Sequence, residues 1–220
     1  MTRLFTILPV LLILLLGCVF PYQETIRGNG NIVTEERDVG HFTSLRITGA
    51  RSTVVYGDRE GPIRITADEN LLEYNESYVE DGRLVITTTG NVNLRPTQRI
   101  EIEIPGKHLQ NVRVSGSNRI ELYHIDREWF RIRGSGSTRV TAAGYVGEFE
   151  VRMSGSSRFD AGDLIAERVT VRTSGSSRAG IYAEEAIEAR TSGSSRVSYY
   201  GDPEIVEINS SGSSRVRAER

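Results

Sequence analysis

Lysine is nearly missing from this chain: of 27 basic residues, only Lys107 is not arginine. Cysteine is as scarce. Cys18 stands alone, so no internal disulfide can form. The three histidines, His41, His108 and His124, lack metal-ligand spacing, and neither a metal nor a cofactor is expected. Net charge is only −2, with 29 acidic residues against the 27 basic ones, so no overall field points to nucleic acid as a partner. No apolar run reaches the ~20 residues that cross a bilayer core. Helix formers are nowhere concentrated after residue 20, while β-branched residues alternate throughout. At 38% hydrophobic and 25% charged, the chain suits one or two folded domains.

What abounds is one pentapeptide. Ser115-Gly-Ser-Asn-Arg119 and Ser135-Gly-Ser-Thr-Arg139 are followed by four copies of Ser-Gly-Ser-Ser-Arg, ending at Arg158, Arg178, Arg196 and Arg215. The glycines fall at 116, 136, 155, 175, 193 and 212, in steps of 18 to 20 residues. Such a step predicts a solenoid with one coil per repeat.

Around each glycine the pattern has period two. Phe130, Phe149, Val169, Ile187 and Val206 lie six residues before it, and Val112, Ile132, Val151, Val171, Ala189 and Ile208 lie four before it. The position between is polar or charged, as at Arg131, Glu150 and Glu188. Alternation resumes afterwards through Ile120, Val140, Phe159, Ala179, Val197 and Val216. Each coil therefore reads as two half-buried strands hinged at Ser-Gly-Ser, with a looser third side such as Asp163–Ala166. Glycine suits a tight corner, and the flanking serines are expected to stack as hydrogen-bonding columns. Val151 is expected to point inward, and Glu150 outward, where even reversal to lysine should be nearly silent.

The N-terminal half divides differently. Met1–Arg3 and the 13-residue run Leu4–Leu16, broken only by Thr6 and Pro9, read as the start of a signal peptide spanning residues 1–17. Residues 18–41 read as a tether and entry segment, and residues 42–108 as an irregular β-rich cap leading into regular repeats over 109–220. Within the cap, Ser44–Ser52 looks like a degenerate repeat. Asn70–Tyr74 fits a turn of helix or a crossing strand, and Ser77–Thr88 is a hairpin turning at Asp81-Gly82.

Leu15-Leu16-Gly17-Cys18 resembles the lipobox of bacterial lipoproteins, in which the cysteine is acylated and becomes the new N-terminus. Val19 stands where Asp would retain such a protein at the inner membrane, so the resemblance implies a lipid anchor in the outer membrane. Further residues carry a second resemblance. They are Gly28-Asn-Gly-Asn31, Leu45-Arg-Ile-Thr-Gly49, Ala67-Asp-Glu-Asn-Leu71, Glu80-Asp-Gly-Arg-Leu-Val-Ile86 and the Ser-Gly-Ser-x-Arg run. In that order they resemble the putative auto-transporter adhesin family with a head GIN domain, over roughly residues 30–218. The resemblance implies a single-stranded, right-handed parallel β-helix on an envelope lipoprotein, and carries no catalytic residues with it.

Chemistry is sparse. No serine sits in a G-x-S-x-G elbow, and the repeats lack the calcium-binding G-G-x-G-x-D pattern. Asp160 with Asp163, and Glu184 with Glu185, are the acid pairs that a carbohydrate-cleaving β-helix would need. The constellation that stands out is arginine. Arg119, Arg139, Arg158, Arg178, Arg196 and Arg215 should form one column, and Arg113, Arg133, Arg152, Arg172 and Arg190 a second, which Glu150, Glu188 and Glu207, two residues before it, can partly neutralise. The expectation is a non-catalytic lipoprotein presenting a repetitive face to anionic glycans or surface polymers. The alternatives are a carbohydrate-active enzyme and, more remotely, an envelope scaffold or stress-related protein.

Overall fold

The computed structural model describes residues 23–219. The lipobox and Cys18 lie outside them. Strands β1 (Glu24–Arg27) and β2 (Ile32–Arg37) enter the domain, followed by β3 (Ser44–Gly49), β4 (Ser52–Tyr56) and β5 (Ile63–Asp68). A 3-10 turn over Glu69–Tyr74 leads to hairpin β6 (Asn75–Glu80) and β7 (Arg83–Thr88), then β8 (Val92–Arg95) and β9 (Glu101–Pro105). The repeats supply β10 (Asn111–Gly116), β11 (Arg119–Gly136), β12 (Arg139–Met153), β13 (Arg158–Thr173) and β14 (Arg178–Thr191). The chain then runs through β15 (Arg196–Tyr200), β16 (Ile205–Ser210) and β17 (Arg215–Ala218). Fifteen of these strands form one wound sheet, with parallel pairing from β7 through β3 and β10 to β17.

The fold is the all-β solenoid that the repeat predicts, and the inward residues are those the alternation marks. Phe130, Ile132, Val140, Phe149, Val151, Phe159, Val171 and Ile181 are buried in a single continuous core. Aromatic rings run along it, with Phe130 on Phe149 at 6.3 Å and Phe149 on Phe159 at 5.7 Å. An inward aspartate at Val151 would strand a charge there.

Three details differ from the sequence reading. The third side is not loose: strands β11 to β14 continue through it, and Ala143–Val146 pairs with Asp163–Ala166. Register slips at Leu122/Ile125, Thr141/Ala143 and Ala161/Ile165 absorb the unequal coil lengths there.

The flanking serines are not what holds the corner. Ser154 and Ser156 are exposed, whereas Ser157, the fourth residue, is buried. Its hydroxyl donates to the Ser154 carbonyl at 3.0 Å and approaches the Gly136 carbonyl of the preceding coil at 3.3 Å. Asn118, Thr138, Ser177, Ser195 and Ser214 make the same bond to the carbonyl three residues back, at 2.7 to 3.2 Å. The glycine beside it has no substitute. Gly155 sits at φ +80°, and a Cβ there would lie 2.7 Å from the Gly136 carbonyl oxygen.

The stretch Ser44–Ser52 is more than an ancestor of the repeat. Strand β3 pairs in register with β10, Gly49 against Gly116, and β4 pairs with β11, so it forms a true coil inside the 42–108 segment. Beyond it, β7 and β9 extend the parallel stack, and antiparallel β6, β5 and β2 close the end. A carboxylate ties this cap together. Buried Asp68 accepts from the backbone N–H of Gly30 at 2.8 Å, and from the N–H and hydroxyl of Thr97 at 2.9 and 2.7 Å. Burial pushes its pKa up, but these bonds outweigh that and hold it below the ordinary aspartate value. The Gly28–Asn31 turn is thus one half of a clasp. Its other half is Asp68-Glu69-Asn70: Asn70 accepts from the Asn29 N–H, and Glu69 from the Asn31 amide.

Removing a buried hydroxyl leaves its carbonyl partners short of a donor. Ser157→Ala is expected to lower unfolding free energy by about 1–2 kcal/mol, and Ser156→Ala to stay within about 0.5 kcal/mol. Urea titration of the two variants checks this. Equal midpoints would remove the fourth-position hydroxyl from its role.

Candidate functional site

In-register stacking decides where outward side chains go. Arg119, Arg139, Arg158, Arg178, Arg196 and Arg215 are successive Cα partners across β11 to β17, and all are exposed. Arg113, Arg133, Arg152, Arg172 and Arg190 form the second column, on the opposite side of the Ser-Gly-Ser corner. The structure adds Arg46 at its head, paired with Arg113, and ends it at Asn209. Arg46 escaped because its coil ends in Thr48-Gly49-Ala50-Arg51 rather than Ser-Gly-Ser. Aligning Leu45-Arg46-Ile47 on Val112-Arg113-Val114 would have found it.

The two columns differ in setting. The first borders a smaller depression of about 290 Å³, joined by Arg99, whose guanidinium donates to the Arg51 and Ser117 carbonyls at 3.2 Å. The second lines a groove of about 570 Å³, walled on its other flank by Ser115, Ser135, Ser154 and Ser174. Neighbouring guanidiniums a strand spacing apart (~4.8 Å) repel by about 1 kcal/mol in water before screening.

Acids relieve part of this. Glu150 accepts from both Arg131 and Arg152, and Glu188 pairs with Arg190 at 2.8 Å. Among the described residues Arg46, Arg113, Arg133 and Arg172 have no such partner. The Nε atoms of Arg133 and Arg172 are buried without any acceptor. Burial, then the charges of Arg152, Arg131 and Arg113, lower the Arg133 pKa from its ordinary value. The groove therefore presents positive charge, four of its five arginines having no acidic partner among the described residues.

Glu150 does relieve the second column, as its place two residues before Arg152 predicts, but reversing it to lysine cannot be the silent change expected from the alternation. It is half-buried between two guanidiniums, so Glu150→Lys would put a third cation there and is not silent. Burial raises its pKa, but hydrogen bonds from Arg131 and Arg152 exceed that effect and hold it below the ordinary glutamate value.

The acid pairs for hydrolysis fare poorly. Asp160, Asp163, Glu184 and Glu185 are all exposed, and Glu185 is taken by Arg168 at 2.8 Å. Folding does bring His41 against His108, ring centroids 5.0 Å apart, and His108 bonds Glu60 at 3.0 Å. Among the described residues no three His, Cys, Asp or Glu side chains are grouped to hold a metal ion, and no helix is long and apolar enough to cross a membrane.

A family profile described as "Putative auto-transporter adhesin, head GIN domain" matches residues 41–203. The chain belongs to that family. Among solved structures, a putative adhesin from Bacteroides fragilis superposes at TM-score 0.74 with 16% identity, covering 88% of this chain and all of that one. A putative lipid binding protein from Parabacteroides distasonis follows at TM-score 0.58 and 22% identity, covering 90% of this chain and all of that one. A putative adhesin from Parabacteroides merdae superposes at TM-score 0.58 and 17% identity, with the same coverages. At these identities the likeness is one of fold. No curated protein matches the sequence.

The Glu150 clamp carries a signed pH dependence. Its folded pKa is depressed, so its stabilisation is present above the unfolded value of ~4.3 and is lost as pH falls through the folded one. The stability gap between wild type and Glu150→Gln is expected to narrow between about pH 5 and about pH 3. Thermal unfolding across that range checks it, and a gap that ignores pH would refute the clamp.

Proposed function

We propose that this protein is a non-catalytic binding module of the cell envelope, tethered by lipid at Cys18. Its groove, lined by arginine over successive coils, takes anionic glycans or surface polymers. The observation that carries this reading is the row Arg46, Arg113, Arg133, Arg152 and Arg172 along one 570 Å³ groove, four of them without an acidic partner among the described residues. Guanidinium forks match carboxylate and phosphate oxygens, and a polymer spanning several coils adds weak contacts through effective concentration. Membership of a family described as adhesins agrees with an extended, repetitive binding face. The exposed first column offers a second, weaker track on the other side of the corner.

Binding is expected to fall steeply with salt, as exposed charge pairs do. Changing Arg113, Arg133 and Arg172 together to Gln is expected to remove most affinity for anionic polymers. The equivalent triple change at Arg139, Arg158 and Arg178 should remove less, and both should keep the β-type circular dichroism spectrum. Titration by calorimetry at low and high salt checks this. A wild type that ignores every anionic polymer at low salt would end the reading.

The anchor is tested separately. Cys18→Ser is expected to abolish incorporation of labelled fatty acid and to move the protein from the membrane to the soluble fraction. Unchanged fractionation would refute lipidation.

A further inference from the structure

On the arginine face, three coils set nine outward side chains in a grid: Trp129, Arg131 and Arg133 on β11, Glu148, Glu150 and Arg152 on β12, Arg168, Thr170 and Arg172 on β13. A depression of about 340 Å³ opens in this grid, with Trp129 at one end and Arg152 and Arg172 at the other. That volume is at the small end of ligand-pocket sizes, about 300–1,000 Å³.

The charges within it are unevenly spent. Glu150 is committed to Arg131 and Arg152, while Glu148 lies 3.7 Å from Arg168, which also binds Glu185. Arg172 has no ion-pair partner among the described residues, and its Nε is buried without an acceptor. At the other end, the Arg131 guanidinium lies over the Trp129 ring, 4.6 Å from its centroid. The indole is half-buried and held by that stack, yet it borders both this depression and a neighbouring one of about 490 Å³.

We infer that this depression is a subsite for a carboxylated sugar unit within a polysaccharide. A pyranose ring packs against Trp129 on the side away from Arg131, which does not line the depression, and the carboxylate of the next unit meets the guanidinium of Arg172. Trp129 and Arg172 are four residues and two coils apart, roughly 17 Å between Cα atoms by strand geometry. Both side chains are long, and that span fits about two sugar units. Thr170 on the floor between them offers a hydroxyl to the ring. An indole offers a chain of bare phosphates only its single N–H, whereas its ring face suits the C–H bonds of a sugar, so the tryptophan points to sugar. The inference rests on the anion-binding reading of the groove and narrows it to acidic glycans.

Trp129 is the sole tryptophan of the chain, so its fluorescence reports on this subsite alone. Detergent-solubilised full-length protein is titrated with polygalacturonate, with the same polymer after reduction of its carboxyl groups, and with inorganic polyphosphate. Polygalacturonate is expected to shift the emission and to bind at least tenfold more weakly to Trp129→Ala. Trp129→Phe should recover part of the loss, and polyphosphate affinity should be unchanged in both variants. Arg172→Gln is expected to weaken polygalacturonate binding while leaving the carboxyl-reduced polymer where it was. Equal polygalacturonate affinity for wild type and Trp129→Ala would overturn the subsite and leave the arginine groove standing. Parallel loss of both polymers in Trp129→Ala would overturn it too, by making the indole a prop for the face. Wild type that binds neither polymer would overturn the groove itself.

Discussion

Everything in this molecule depends on the contact between one glycine and the carbonyl of the glycine one coil earlier. At Gly116, Gly136, Gly155, Gly175 and Gly193 the backbone is left-handed, and a Cβ would fall 2.3 to 2.7 Å from the preceding glycine's oxygen. No side chain fits, so the corners nest directly. Nested corners leave no freedom of register along the strands that leave them, and the period of two then fixes every side chain as inward or outward. The interior hydroxyl of the fourth residue completes the corner by bonding the carbonyl three residues back, which a tight turn would otherwise leave short of a donor. The arginine columns are a consequence. Outward residues three before and three after a fixed glycine must superpose on their counterparts.

The slack in the repeat is confined to the far side. Coils of 18, 19 and 20 residues differ where β11 to β14 slip register, well away from the Ser-Gly-Ser corner. This separation lets a binding face stay periodic while the chain length per coil drifts. It also explains why the third side looked loose in sequence. Its spacing is irregular from coil to coil, although its hydrogen-bond ladder is largely intact.

Most of the fold was legible because it repeats. The glycine step, the alternation of Phe149 with Glu150 and Val151, and both arginine columns follow from aligning six copies of one motif. What could not be read is what occurs once. Glu150 is legible as an acid two residues before Arg152 that relieves the second column, but only the stacked coils bring Arg131 to its other side. Asp68 and the Gly28–Asn31 turn are 37 residues or more apart and meet through the cap. Trp129 fell at an outward position without a counterpart in other coils, where Glu148 and Arg168 stand, so no column drew attention to it.

Arg51 shows how the ends differ from the middle. It occupies the fourth corner position of the first coil, where later coils have Asn, Thr or Ser, and is 1% exposed. Like the later residues it bonds the carbonyl three residues back, but its longer side chain also reaches on into the cap. Its guanidinium donates to the Thr87 carbonyl at 2.9 Å, the Thr88 hydroxyl at 2.9 Å and Asn75 at 3.0 Å, and also to the Thr48 carbonyl. Burial lowers its pKa to about 10, which leaves it charged at neutral pH. One long cation thus serves both its own corner and the end of β7 beyond it. On the last coil among the described residues, Val206 and Ile208 hold core positions yet are 43% and 48% exposed. The two ends of the described residues therefore differ, a buried charge bracing the cap and apolar side chains lying exposed on the last coil. The arginine groove runs between these two ends, and its second column begins at Arg46, on the same coil that Arg51 closes.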